Sequence, residues 1–174
     1  MEHKTAQRRI LVCAAFVCFG SLCGATTFYR ISHLSAGQIS DLVAAPFAHH
    51  PMLMLPLAIL LGPILMLMFG HCPLGTVFIS CILLLSGFFI GFLEFLAIII
   101  GFIPIFTSAF FVICSACYVQ IGGSVLRLYL KHKSWVLCSG LSRPDFSYDY
   151  RRIFSALSIL LFLSLAYSLF ILSM

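Results

Sequence analysis

Cysteine, histidine and carboxylate are the side chains through which this sequence could do chemistry, and each is placed against its surroundings. The chain has eight cysteines and six histidines, but only five acidic residues. Cys114 and Cys117 form a C-x-x-C, the spacing of a redox pair or half a zinc site. They stand in an apolar run with no adjacent base to stabilise a thiolate, so the spacing predicts packing rather than redox work. Cys13, Cys18, Cys23 and Cys81 also fall within apolar runs and read as small hydrophobes. His49-His50 and His71-Cys72 are the metal-like groupings. A predicted membrane span separates them by ~30 Å, too far to share one ion, so no metal site is expected. Glu94 is the sole charged residue between Asp41 and Arg127. An acid at the bilayer centre costs ~2.5–3.5 kcal/mol, so Glu94 reaches headgroup water beside Gly91, makes an internal polar contact, or serves as a proton relay. Gln120 falls on a weakly polar stripe with Cys117, Ser124 and Arg127, three or four apart, a face expected to point at protein. No Walker loop, H-E-x-x-H, G-x-S-x-G or paired-carboxylate motif occurs, and no catalytic residue or cofactor is expected.

The elements that must position these residues follow from composition. Of the 174 residues 62% are hydrophobic and 9% charged, whereas soluble domains carry about 25% charged residues. The pattern predicts an all-α, polytopic membrane bundle of one domain with about five spans, at 10–28, 52–69, 74–90, 95–126 and 153–171. The polar segments between them are too short for a soluble catalytic domain, which argues against an enzyme. Cleavage of the first span as a secretory signal is the alternative to an anchor, but that run is span-length and no A-x-A site closes it.

Ser35 to Phe47 reads as an interfacial amphipathic helix opened by a Ser35/Gln38 capping box, or as a solvated connector. Pro56 and Pro63 should bend the second span and free carbonyls that neighbours must satisfy. A turn is expected near Gly87, Gly91 and Glu94. The following run, broken at Gly101–Pro104, is either a long kinked helix or a re-entrant piece. Gly20-x-x-x-Gly24 and Gly87-x-x-x-Gly91 are candidate helix-packing sites.

Bases cluster in two places, Lys4, Arg8 and Arg9 at the start and Arg127, Lys131, Lys133, Arg143, Arg151 and Arg152 in a loop over 127–152. The positive-inside rule puts both in the cytoplasm, with an even number of crossings between them and the N-terminus inside. Attraction to anionic membrane lipids accounts for the basic loop without nucleic acid.

The order of features also carries a resemblance: F-G-S-L-C-G-A closing the first span, Gln38 and Asp41-Leu42 outside, and G-P-I-L-M-L-M-F-G-H-C-P-L-G from Gly62 to Gly75. Phe102-Ile103-Pro104 and S-V-L-R-L from Ser124 to Leu128 follow, then a basic loop and a final span. Together these resemble the stage II sporulation protein M family over nearly the whole chain. The resemblance implies a five-span protein of the bacterial cytoplasmic membrane. It also implies a scaffold role, with stage II sporulation proteins D and P, which cut peptidoglycan during engulfment, as partners. After Pro104 this chain has Ile105, Phe106, Thr107 and Ser108 where the family often has polar residues, so no polar contact there is carried over. A small transporter or permease subunit is the alternative, suggested by the kinked spans and Glu94; homo-oligomerisation stays open.

Overall fold

A backbone N–H or C=O without a partner costs several kcal/mol in hydrocarbon, so each apolar run closes its own hydrogen bonds as a helix. In the computed structural model, which describes residues 2–32, 51–70, 72, 74–99, 104–137 and 145–172, five helices follow one another. They are α1 (Glu2–Ser32), α2 (Pro51–Phe69), α3 (Gly75–Ile99), α4 (Pro104–Leu137) and α5 (Ser147–Leu172), and no strand occurs among the described residues. Stretches of α1, α3, α4 and α5 are long and apolar enough to cross a membrane, and α2 contributes the shorter apolar run Pro56–Phe69. The protein is a multi-pass helical membrane bundle.

Side-chain pairings fix the direction of each helix. Along α1 and α3, Val17 meets Gly87, Gly20 meets Leu84 and Phe88, and Gly24 meets Phe88 and Phe92, so the two run parallel. Leu83 packs on Gly122, and Ser86 bonds Tyr118, so α3 and α4 are antiparallel. Thr107 with Tyr167, Gln120 with Arg152, and Lys131 with Asp149 make α4 and α5 antiparallel as well. Directions therefore alternate. The start of α1, the α2–α3 turn, the end of α4 and the start of α5 share one end of the bundle. Arg8, Arg9, Arg127, Lys131, Lys133, Arg151 and Arg152 all stand at that end, whereas Arg30 stands at the other.

Helix α4 organises the core. It touches all four other helices, and 56% of its apolar window is buried against 22% to 33% in the other three. Its Phe111, Cys114, Tyr118, Ile121 and Val125 pack against Val17 of α1, Met66 of α2, Leu83 of α3 and Leu160 of α5 in one apolar cluster.

Three sequence-based boundaries move. Helix α3 continues through Gly87, Gly91 and Glu94 to Ile99, so no turn occurs there and the span does not stop at 90. Glycine within a span does not break the helix, because no water competes for its backbone groups; here both glycines lie against α1 instead. The fourth helix begins at Pro104 rather than 95, with proline at the first position, where a missing N–H costs nothing. The expected loop over 127–152 is largely helical, with α4 running to Leu137 and α5 starting at Ser147. Charges end a span but do not end a helix, and neither Gly nor Pro occurs between Gly123 and Gly140. At 1.5 Å per residue α4 is ~51 Å long, so ~21 Å of it, roughly 14 residues, extends beyond a ~30 Å hydrocarbon layer. The expected interfacial helix over 35–47 and the Gly101–Pro104 break, at residues 100–103, lie outside the described residues.

Candidate functional site

Three polar arrangements interrupt the apolar packing. The first answers the prolines of α2. Pro63 has no N–H, so the carbonyl of Ile59, four residues back, loses its helical donor. The Tyr118 hydroxyl of α4 donates to that oxygen, and Ser86 of α3 in turn bonds the Tyr118 hydroxyl. The crossing works because residue 62 is glycine. A β-carbon there would lie 2.5 Å from Ser86 Oγ and 2.7 Å from Tyr118 Cε1. Beside this junction the three helices border a partly open apolar cavity of about 370 Å³, lined by Ile59, Leu65, Phe89, Phe111 and Cys114 among others.

The second is the α1–α3 seam. A β-carbon on Gly20, Gly24, Gly87 or Gly91 would collide with the backbone carbonyl of Leu84, Phe88, Val17 or Ser21 respectively. The backbones therefore touch without side chains between them, the geometry in which dispersion and Cα–H···O contacts hold spans together. Phe28 closes the seam edge-on against Phe92, with ring centroids 4.9 Å apart.

The third arrangement joins α4 to α5 at the basic end. Asp149 is fully buried in the first turns of α5, and its Oδ2 accepts from Lys131 Nζ at 2.7 Å. Its Oδ1 lies 3.7 Å from Arg127 Nη1, an ion pair too long to be a hydrogen bond. Arg127 and Lys131 are four apart and so share one face of α4, which lets a single carboxylate face both. Arg127 Nε and Asp149 Oδ1 are buried without a hydrogen-bond partner among the described residues. Lys131 Nζ also donates to the Asp145 backbone carbonyl at 3.2 Å. Asp145 Oδ1 caps α5 by accepting from Ser147 N at 2.8 Å. That bond, helped by the Ser147 side chain, holds the Asp145 carboxyl below its ordinary value of 3.8.

Gln120 is half-buried and donates through Nε2 to the Arg152 carbonyl at 3.3 Å, tying the middle of α4 to α5. Cys117 and Ser124, on the same stripe, are buried. Glu94 is half-buried ~28 Å along α3 from Gly75, near the end of the bundle opposite the bases. Cys114 and Cys117 are free and buried in the core. Among the described residues no three His, Cys, Asp or Glu side chains converge on a point that could hold a metal ion. His49, His50 and His71 lie outside the described residues.

Sequence reasoning missed the Asp149 cluster and the Tyr118 donor. An i, i+4 pair of bases facing an acid at the start of the next span was a usable signal for the first. Nothing in the sequence distinguished Tyr118 as the group that satisfies the Pro63 gap. Searches of family models, of curated proteins and of solved structures found no match to this chain.

Proposed function

We propose that the protein is a non-catalytic scaffold of the bacterial cytoplasmic membrane that holds partner proteins. The observation that carries this reading is the form of α4. One helix threads the core, touches every other helix and continues past the hydrocarbon as an arm braced to α5 by buried Asp149. Such an arm is a rigid perch. It presents His132, Lys133, Trp135, Val136 and Leu137 at its surface, an aromatic and apolar tip in a basic setting. The positive-inside rule assigns this end to the cytoplasm.

The resemblance to the stage II sporulation protein M family supplies the client class: the peptidoglycan-cutting stage II sporulation proteins D and P. A client whose catalytic part works outside would be gripped through its membrane anchor and inner tail. The test is purification in mild detergent from sporulating cells, with a photo-crosslinking residue at Val136. Recovery of a cell-wall hydrolase crosslinked at that position supports the reading; recovery of the protein without any such hydrolase overturns it. Glu94, the residue behind the transporter alternative, is half-buried near the end of α3 farthest from the bases. This supports an interfacial role over a proton relay. Solute or proton flux abolished by Glu94→Gln in vesicles would favour transport instead.

A further inference from the structure

A groove of about 350 Å³ opens between α1, α4 and α5 at the basic end, separate from the α4 arm. One part of its lining is apolar, with Ile10 and Ala14 of α1 facing Val119 of α4. The other part is cationic and polar, formed by Arg127 and Gln120 of α4 and Arg152 of α5. Within α4 the lining runs from Ala116 to Arg127, ~16 Å of helix along the bundle axis.

The charges there do not cancel. Arg127 and Arg152 are both on the groove lining, which includes no acid among the described residues. The one described carboxylate in ion-pair range of Arg127 is Asp149, which is shared with Lys131, and Lys131 also faces the Asp145 carboxyl. Asp149 draws on Lys131 at 2.7 Å and leaves Arg127 at 3.7 Å, with Arg127 Nε buried and unpartnered among the described residues. The Arg152 guanidinium rests over the Tyr148 ring at 5.6 Å, a contact that leaves its N–H groups available. Arg8 and Arg9 precede Ile10 on α1 and add to the positive field at this end.

From this geometry we infer that the α1–α4–α5 groove binds one anionic phospholipid, its phosphate on Arg127 and Arg152 and one acyl chain against Ile10, Ala14 and Val119. The charge excess calls for an anion and the apolar wall calls for a hydrocarbon chain. A membrane anionic lipid supplies both in one molecule at the depth where the groove lies. Guanidinium matches phosphate by paired N–H···O bonds. Gly123 borders the groove without being required for packing, because an added β-carbon there would find its nearest neighbour, Ile10 Cγ1, at an ordinary 3.7 Å.

The test is native mass spectrometry of the purified protein in detergent, titrated with phosphatidylglycerol or phosphatidylcholine. Two bases at the phosphate predict phosphatidylglycerol binding about thirtyfold tighter, the ratio that ~2 kcal/mol gives. Arg127→Gln with Arg152→Gln brings that ratio close to one. Gly123→Leu fills the apolar wall, leaves every charge in place and lowers phosphatidylglycerol binding to the level of the double variant. If the double variant fails to fold, Arg152→Gln alone and Gly123→Leu decide, since neither touches Asp149. Equal binding of the two lipids overturns the inference, as does undiminished binding by Gly123→Leu. Displacement of the lipid by millimolar inorganic phosphate overturns it too, because it would mean a site for a free anion.

Discussion

Replacing Tyr118 by phenylalanine removes one oxygen, and its effect should depend on a residue on another helix. In the native chain the Tyr118 hydroxyl stands in for the N–H that Pro63 lacks. Tyr118→Phe therefore leaves the Ile59 carbonyl without a donor inside the bundle, while the ring and its packing remain. A buried acceptor left unpaired costs ~1–3 kcal/mol, and single interhelical hydrogen bonds in membranes average ~0.6 kcal/mol with a maximum near ~1.7. The expected loss is therefore ~1–2 kcal/mol. In a Pro63→Ala background residue 63 regains its N–H, the helix satisfies Ile59 itself, and Tyr118→Phe should cost less than ~0.5 kcal/mol. The coupling between positions 63 and 118 is then about 1 kcal/mol, above the ~0.3–0.5 kcal/mol scatter of independent sites. Reversible unfolding of the four proteins in mixed micelles measures it. Additive losses would refute the argument that the tyrosine exists to satisfy the proline gap.

Gly24→Leu should destabilise the bundle by ~1–3 kcal/mol or more, because the obstructing atoms are backbone and cannot rotate away; Leu22→Ala on the exposed side of α1 is the control in the same unfolding assay. Asp149→Asn strands Arg127 and Lys131, and since Lys131 is 36% exposed the cost should fall below the ~3–5 kcal/mol of a fully buried break, at ~1–3 kcal/mol. Faster hydrogen exchange over residues 127–137 reports it, and replacing Asp149 and Lys131 together by leucine and methionine should restore protection. The Asp145 cap gives a pH signature. Its carboxyl is depressed below 3.8 in the folded chain, so the cap contributes above that value and is lost as acidification passes through the depressed one. The Ser147 amide resonance in micelles should titrate below pH 3.8, and should not in Asp145→Asn.

What could be read from the sequence is what the bilayer imposes. Hydrocarbon demands that every backbone group be satisfied, so apolar length and charge placement foretell a helical bundle with its bases at one end. Helix ends were harder, for a physical reason. Arg127 and Lys131 mark where the chain leaves hydrocarbon, yet residues 124–137 hold no breaker, and the helix simply continues into water. Gly87 and Gly91 invite the opposite error. In water glycine weakens a helix enough to suggest a turn, whereas within a span its missing side chain is the means by which α3 reaches α1. Spacing marks a small-residue stripe but does not say which carbonyls it will meet.

The polar groups follow a related division. Pro63 announces an unsatisfied carbonyl, and that need is visible in the sequence; the donor is chosen by the packing of α4 against α2 and is not. Asp149 lies 18 residues from Lys131 and 22 from Arg127, across the link between two helices, so only the antiparallel register brings them together. Once it does, the three behave as one electrostatic unit. Asp149 neutralises one base, fixes the angle at which α4 leaves the membrane against α5, and leaves the remaining positive charge facing the groove beside α1. Rigidity of the arm and anion affinity of the groove therefore share a residue. Asp149→Asn should loosen the arm while increasing the net positive charge at the groove, so exchange over 127–137 and phosphatidylglycerol binding should rise together. A rise in exchange with a fall in phosphatidylglycerol binding would mean that Asp149 shapes the groove rather than competing for its bases.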